Sequence, residues 1–278
     1  MKYSVFTLIL GIILSAFFLA GCKREIDIDY HSVDKLYVIE GYLTNNLAAV
    51  SILQTRDVTD SVLSKTVRGA VVTLSSSSGQ SEVLTYRNDG LYRSTLGTRG
   101  VPGTTYTLKV QIDDNQYVSS STMQNKPTIA SATFKWVKML SDKMLFYQVN
   151  VQDIPGEVNY YCYRVYRNNR VYRWNVFKDI SNPGGKIPLN IACMSKQQAD
   201  DNKEEDKDDI LHEGDEIYFE LQSIDRNAYD YLYSLRVSER TAANPIDNFS
   251  GGCLGYFSAY YSVWQNTIFK YADIEDTE

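Results

Sequence analysis

Histidine is almost missing from this sequence: His31 and His212 are the two in 278 residues. No His-x-x-x-His pair, no Cys-x-x-Cys and no Gly-x-Ser-x-Gly occurs. A histidine-dependent triad or a zinc centre would rest on His212, because His31 falls in a short stretch ahead of the first strand. A phosphate-binding loop is missing too, since Ser75-Ser76-Ser77-Ser78-Gly79 is not followed by lysine. There is no basic excess: the formal net charge is −6. That argues against nucleic acid as a partner, because neutralising phosphates needs a basic face. The expectation is a protein that is not an enzyme and carries no metal and no cofactor. Cysteine is scarce as well. Apart from Cys22 there are Cys162, Cys193 and Cys253. Three cysteines allow at most one internal disulfide. Three buried thiols fit the sequence equally well, and the pairing stays open.

What is present starts at the N-terminus. Lys2 precedes an almost unbroken apolar run from Val5 to Ala20 without a charge. That is a secretory signal pattern. The run is shorter than the roughly 20 residues that span a membrane. It closes on Leu19-Ala20-Gly21-Cys22. This order resembles the lipobox of bacterial lipoproteins, in which the signal is cut before the cysteine and lipid is added to it. Cys22 is then the lipidation site, and two or more acyl chains anchor stably where one is marginal. Lys23 stands where an aspartate would retain a lipoprotein in the inner membrane, so the expected location is the outer membrane. Glu25, Asp27 and Asp29 behind Lys23-Arg24 resemble a surface-export signal and direct the expectation to the cell surface.

The rest reads as β structure. Tyrosine occurs 22 times, among β-branched residues and short polar gaps. Five units are expected: a signal peptide at 1–21, a lipidated tether at 22–33, a β-sandwich domain at 34–125, a second β-rich domain at 126–271, and an acidic tail at 272–278. Lys35 to Leu43 is apolar on both faces, as a central strand is. Asn88-Asp89-Gly90 signals a hairpin. Tyr106, Leu108, Val110 and Ile112 alternate with polar residues. Short strands at about 8–12-residue spacing predict a β-sandwich of the immunoglobulin type. Lys126-Pro127 marks the boundary. Beyond it strands are expected near 133–137, 145–152, 159–167, 170–177, 216–221 and 254–263, with a long irregular stretch opened by Gly184-Gly185. Ala228, Tyr231, Leu232 and Leu235 follow helical spacing behind Asp225, which predicts one helix at about 226–238.

Three charged features remain. Glu216 and Glu220 share one face of a strand at period 2, which the alternation makes the wet face. Surface strand charges explain them better than a glycosidase pair. The run from Asp200 to Asp209 lacks the glycine and terminal glutamate of an EF-hand loop, so it reads as a solvated loop and not a calcium site. The hairpin at 159–177 interleaves arginine with tyrosine. With Asn168-Asn169 as a two-residue turn, Arg164 and Arg173 fall opposite each other, and like charges across strands are unfavourable. An anionic partner is expected: the 200–209 loop, a ligand or a partner protein.

Leu36 to Thr44, Gly69 to Leu74, Gly90 to Ser94, Pro102 to Leu108, Ala228 to Leu232, Asn244-Pro245 and Gly251 to Phe257 follow one another in a fixed order. In that order the chain resembles an uncharacterised outer-membrane lipoprotein family of Bacteroidota. The resemblance implies proximity to a TonB-dependent receptor and a sandwich similar to transthyretin-like or carboxypeptidase-regulatory-like modules. It supplies no catalytic residues. The expected function is to assist nutrient binding or uptake with such a receptor. The alternatives are a stand-alone carbohydrate-binding or adhesin-like lipoprotein, and a structural envelope protein. Replacing Arg164 and Arg173 by serine separates the partners of the hairpin. Lost stability marks an internal anion, whereas unchanged stability with lost receptor co-purification excludes one.

Overall fold

A computed structural model of the protein describes residues 35–56, 65–156, 158–179, 184–200, 210–241 and 243–276. The signal stretch with Leu19, Ala20, Gly21 and Cys22, the tether, and residues 201–209 of the acidic run lie outside them.

The first part of the chain forms β1 (Tyr37–Thr44), β2 (Ala48–Gln54), β3 (Lys65–Thr66), β4 (Val71–Ser76), β5 (Ser81–Tyr86), β6 (Leu91–Arg93), β7 (Thr105–Ile112) and β8 (Asn115–Thr122). β7 shows how the pattern works. Tyr106, Leu108, Val110 and Ile112 are buried, while Lys109 between them is exposed. β5 turns the corner of the sandwich. It pairs with β4 over Ser81 to Leu84 and with β6 at Thr85 and Tyr86. Asp89 (φ 49°) and Gly90 (φ 75°) make the turn before β6. A Cβ on Gly90 would stand 2.4 Å from the Ile52 carbonyl oxygen. Ile39, Leu43, Val50, Ile52, Val72, Leu108 and Val110 fill the core between the two layers. A buried carboxylate ties down the loop after β6. Glu82 accepts from the Thr95 and Leu96 amides at 2.7 and 2.9 Å and from the Ser94 hydroxyl at 2.7 Å. Burial alone would raise its pKa, but these donors and Thr98 hold it below the usual carboxylate value.

The second part forms β9 (Thr128–Lys138), β10 (Lys143–Gln152), β11 (Tyr160–Arg167), β12 (Arg170–Lys178), β13 (Lys186–Ser195), a short helix α1 (Lys196–Asp200), β14 (Glu216–Ile224), helix α2 (Arg226–Thr241), β15 (Leu254–Ile268) and β16 (Glu275–Asp276). β13, β10, β9 and β16 make one sheet in that order. It packs on the β12-β11-β14-β15 end of the long sheet through Phe134, Leu145, Tyr147, Val149, Tyr161, Ile217, Phe219 and Leu221. The fold is mainly β, with a single long helix near its C-terminal end among the described residues.

Three expectations change. β13 occupies the stretch expected to be irregular. It is an edge strand, which tolerates Pro188. The acidic tail is partly a strand: Glu275 and Asp276 pair with Lys135 and Trp136 in parallel, and Lys143 Nζ meets Asp276 at 2.7 Å. Phe249, Cys253, Phe257 and Ala259, from beyond Lys126-Pro127, pack in the core formed by residues 39–123. The helix stands as spaced and runs three residues further. Asp225 caps it, accepting the Ala228 amide at 2.9 Å.

β15 joins the two halves. Leu254 to Tyr260 pairs in parallel with β1, and Tyr261 to Ile268 pairs antiparallel with β14. β1 is thereby paired on both edges, with β15 and with β2. Gly255 permits this contact. Its φ is +103°, and a Cβ there would lie 2.0 Å from the Ile39 carbonyl oxygen. Gly255→Ala is expected to cost about 3 kcal/mol or more in urea unfolding, from backbone strain plus the forced separation of β1 from β15.

Candidate ligand-binding site

Strand parity points one set of side chains to the face of the long sheet that lies away from the second core. β11 contributes Cys162, Arg164 and Tyr166, and β14 contributes Glu220 and Gln222. β15 contributes Tyr256, Tyr260, Ser262 and Trp264, and β1 contributes Glu40, Tyr42 and Thr44. Helix α2 covers one end of this face, packing Ala228, Tyr231 and Leu232 on Cys162, Ile224 and Tyr260. The uncovered part is a cleft of about 430 Å³, lined by residues of β1, β2, β11, β14 and β15 among others.

Arg164 stands opposite Glu220 in strand register. Opposite charges at such a position stabilise the pair of strands. Arg164 also lies near the phenols of Tyr166 and Tyr256 and favours their ionised forms, against the burial that raises both. Tyr256 is held from behind by Tyr231 of α2, their rings stacked at 4.9 Å. The Tyr166 hydroxyl donates to Glu220 Oε2 at 3.4 Å. Glu220 is only 4% exposed. Burial pushes its pKa above the ordinary value, and Gln222, Arg164, Tyr166 and Ser262 offset this without cancelling it. Burial likewise raises Tyr256 and Tyr260, so both phenols are neutral donors and acceptors. Trp264 is 54% exposed and stacks on Tyr166 at 5.7 Å. A guanidinium, a buried carboxyl, hydroxyls and an open aromatic face make a site for a small polar ligand.

The structure corrects the reading of Arg164 and Arg173. Asn168 (φ 48°) and Asn169 (φ 65°) do form the two-residue turn. The register then slips between Val165 and Tyr166, so Arg173 pairs with Val165 and Arg164 with Trp174. Tyr172 is the extra residue of a β-bulge. Arg164 and Arg173 therefore lie on opposite faces. Arg173 lies over the Tyr172 ring at 4.1 Å and donates from Nε to the Ala192 carbonyl at 3.4 Å. The anion facing Arg164 is internal: Glu220. The wet face expected for Glu216 and Glu220 splits as well. Glu216 is exposed, whereas Glu220 is buried beside Arg164.

The other singled-out residues have structural surroundings. His212 sits in the turn before β14, and its amide donates to Asp215 Oδ2 at 2.7 Å. Asp215 also receives Arg167 Nε at 2.6 Å and Asn168 Nδ2 at 2.7 Å, which fastens the hairpin tip. Cys162, Cys193 and Cys253 are buried free thiols. Burial raises them to about 12, 11 and 12 respectively, so each stays protonated. Among the described residues no three His, Cys, Asp or Glu side chains group to hold a metal. No described helix is long and apolar enough to cross a membrane. Sequence reading missed Tyr166, Tyr256, Tyr260 and Trp264. Their signal was present in the spacing 256, 260, 264, one face of a strand sampled at every second step.

Fold and site together define a β protein with two packed cores and a polar, aromatic cleft across their shared strand. The chain belongs to the family described as a domain of unknown function, DUF4249, which it matches over residues 23–263. Among curated proteins no sequence matches it. Among solved structures it is similar to a segment of two fibronectin type III domains from chicken tenascin. The identity is 13% and the TM-score 0.21, with 85% of this chain and 99% of that chain covered.

Two outcomes follow from the cleft. Arg164→Ser leaves Glu220 without its facing charge and is expected to cost about 3 kcal/mol. Arg173→Ser should stay within about 1 kcal/mol, the range of a cation–π contact. Urea unfolding of the two single variants distinguishes them. The raised Glu220 also sets a sign. Between its ordinary value of 4.5 and its higher folded value, the folded protein holds more protons than the unfolded chain. That contribution is intact below 4.5 and is lost as pH rises through the folded value. Glu220→Gln should flatten this part of the stability–pH curve.

Proposed function

We propose that this chain is a non-enzymatic, lipid-anchored binding protein of the outer membrane, displayed at the cell surface. In this reading Cys22 carries the lipid and the cleft at Arg164 and Glu220 takes a small polar nutrient. The protein holds that nutrient for a TonB-dependent receptor. The observation that carries the binding role is the buried Glu220 facing Arg164 inside an open cleft. A charged pair placed there costs desolvation that a purely structural sheet face avoids with apolar residues. The anchoring role rests on the Leu19-Ala20-Gly21-Cys22 order. The family match begins at residue 23 and leaves that order outside it.

A second reading, a carbohydrate-binding lipoprotein acting without a receptor, is favoured by Trp264. Most aromatic side chains are committed to the cores, but its indole is more than half exposed on a Tyr166 backing. Such a face suits the apolar side of a sugar ring.

Cys22→Ser should abolish incorporation of an alkynyl palmitate analogue and release the protein from outer-membrane fractions. The acylated wild type, pulled down from outer membranes, is expected to bring a β-barrel receptor with it. Recovery of the protein alone, together with glycan binding that Trp264→Ala abolishes by calorimetry, would replace the first reading with the second.

A further inference from the structure

A second polar cluster lies at the far end of the second core, away from the cleft. Asp153 follows β10, Asn159 and Tyr161 open β11, and Asp179 follows β12. Asp153 is 4% exposed and Tyr161 is fully buried. Asp179 lies close enough to Asp153 to disfavour its ionised form. Asp153 Oδ2 accepts the Gly184 amide at 2.9 Å, but Oδ1 has no partner. The Tyr161 hydroxyl is also buried without a hydrogen-bond partner, and it faces both carboxyls electrostatically. Asn159 fixes the remaining geometry. Its amide donates to Asp179 Oδ1 at 2.8 Å, and its Nδ2 donates to the Ile154 carbonyl at 2.8 Å and to Asp179 Oδ2 at 3.4 Å. One side chain thus holds the carbonyl and the second carboxyl side by side.

Two carboxylates cannot both stay ionised in contact inside a protein unless something positive sits between them. A shared proton is one solution. It satisfies the carboxyls but leaves the Tyr161 hydroxyl unpartnered, at a cost every buried polar group incurs. A cation satisfies both orphaned oxygens at once. The two carboxyls, the phenol and the Ile154 carbonyl offer oxygens, the ligand type of a hard divalent ion. The Ile154 carbonyl has a second lone pair, and so does each Asp179 oxygen.

We propose that Asp153 and Asp179, with the Tyr161 hydroxyl and the Ile154 carbonyl, form a calcium site that clasps the ends of β10, β11 and β12. With two carboxylates in place of three or more, the affinity belongs to the weak class of about 10⁻⁴–10⁻³ M seen in extracellular modules. The site does not depend on the cleft or on its ligand.

The test is titration of purified full-length protein with terbium(III), read as tyrosine-sensitised emission, followed by competition with calcium. Saturable emission displaced by millimolar calcium is expected. With it, Tm should rise by about 3 °C at ten times the dissociation constant. Both responses should vanish in Asp153→Asn and in Asp179→Asn. A wild type that shows neither response overturns the site, as does a response that survives in both variants. A Tm indifferent to calcium, with stability falling as pH rises above the ordinary aspartate range, assigns the pair to a shared proton and equally overturns it. Should either variant fail to fold by circular dichroism, the wild-type titration against a chelator decides by itself.

Discussion

The hydrogen-bonded ladder along Leu254–Ile268 holds this protein together in a literal sense. One half of the strand completes the first sandwich by lying parallel to β1, and the other half completes the second by lying antiparallel to β14. Parallel pairing requires a long connection, and here that connection includes the entire second part of the chain. Neither core closes without it. Phe257 and Ala259 fill the first core, while Val263 packs against the second. The last long strand in sequence is therefore a central strand in space. Folding that depends on such a distant contact carries a large loop-closure cost, and compact intermediates would expose the open edge of β1.

The same strand explains where the cleft is. A sheet shared by two sandwiches has one face given to two cores in turn. Its other face is left over. α2 covers only part of it, because a sixteen-residue helix is shorter than the width of the sheet it lies on. The uncovered part is floored by strands from both halves. A ligand bound there touches β1 of the first half together with β11 and β14 of the second. Binding would thus bear on the joint between the halves, and this couples occupancy to the stability of the parallel pairing.

Much of the fold was legible in the chain because each half obeys local rules. Alternation marked β7 and β10, positive-φ residues marked the turns, and the spacing behind Asp225 marked the helix. What was not legible depended on distant partners. Nothing in Leu254–Ile268 announces a parallel neighbour two hundred residues earlier. Lys186–Ser195 does alternate, with Ile187, Leu189, Ile191 and Cys193 toward the core, but Gly184-Gly185 ahead of it and Pro188 within it read as a break, and a strand accommodates that proline only at an edge. The site was half visible. The arginine and tyrosine interleaving drew attention to Arg164. Period 2 also placed Glu220 on the correct face, but alternation takes a charge as a sign of solvent. It has no means of seeing that an arginine two strands' width of chain away neutralises it.

The bulge at Tyr172 has a consequence for charge. Were Tyr172 paired in strict register instead of bulged, Arg173 would stand opposite Arg164 on the cleft face. Two guanidiniums against one buried carboxyl would turn a balanced cleft into a cationic one, suited to anions. Instead Tyr172 and Arg173 turn toward β13, where the phenol reaches the Cys193 carbonyl. The electrostatic character of this surface is thus counted in residues, not composed from them. A one-residue slip in the hairpin's register would change which molecules the protein attracts while leaving its amino-acid content untouched.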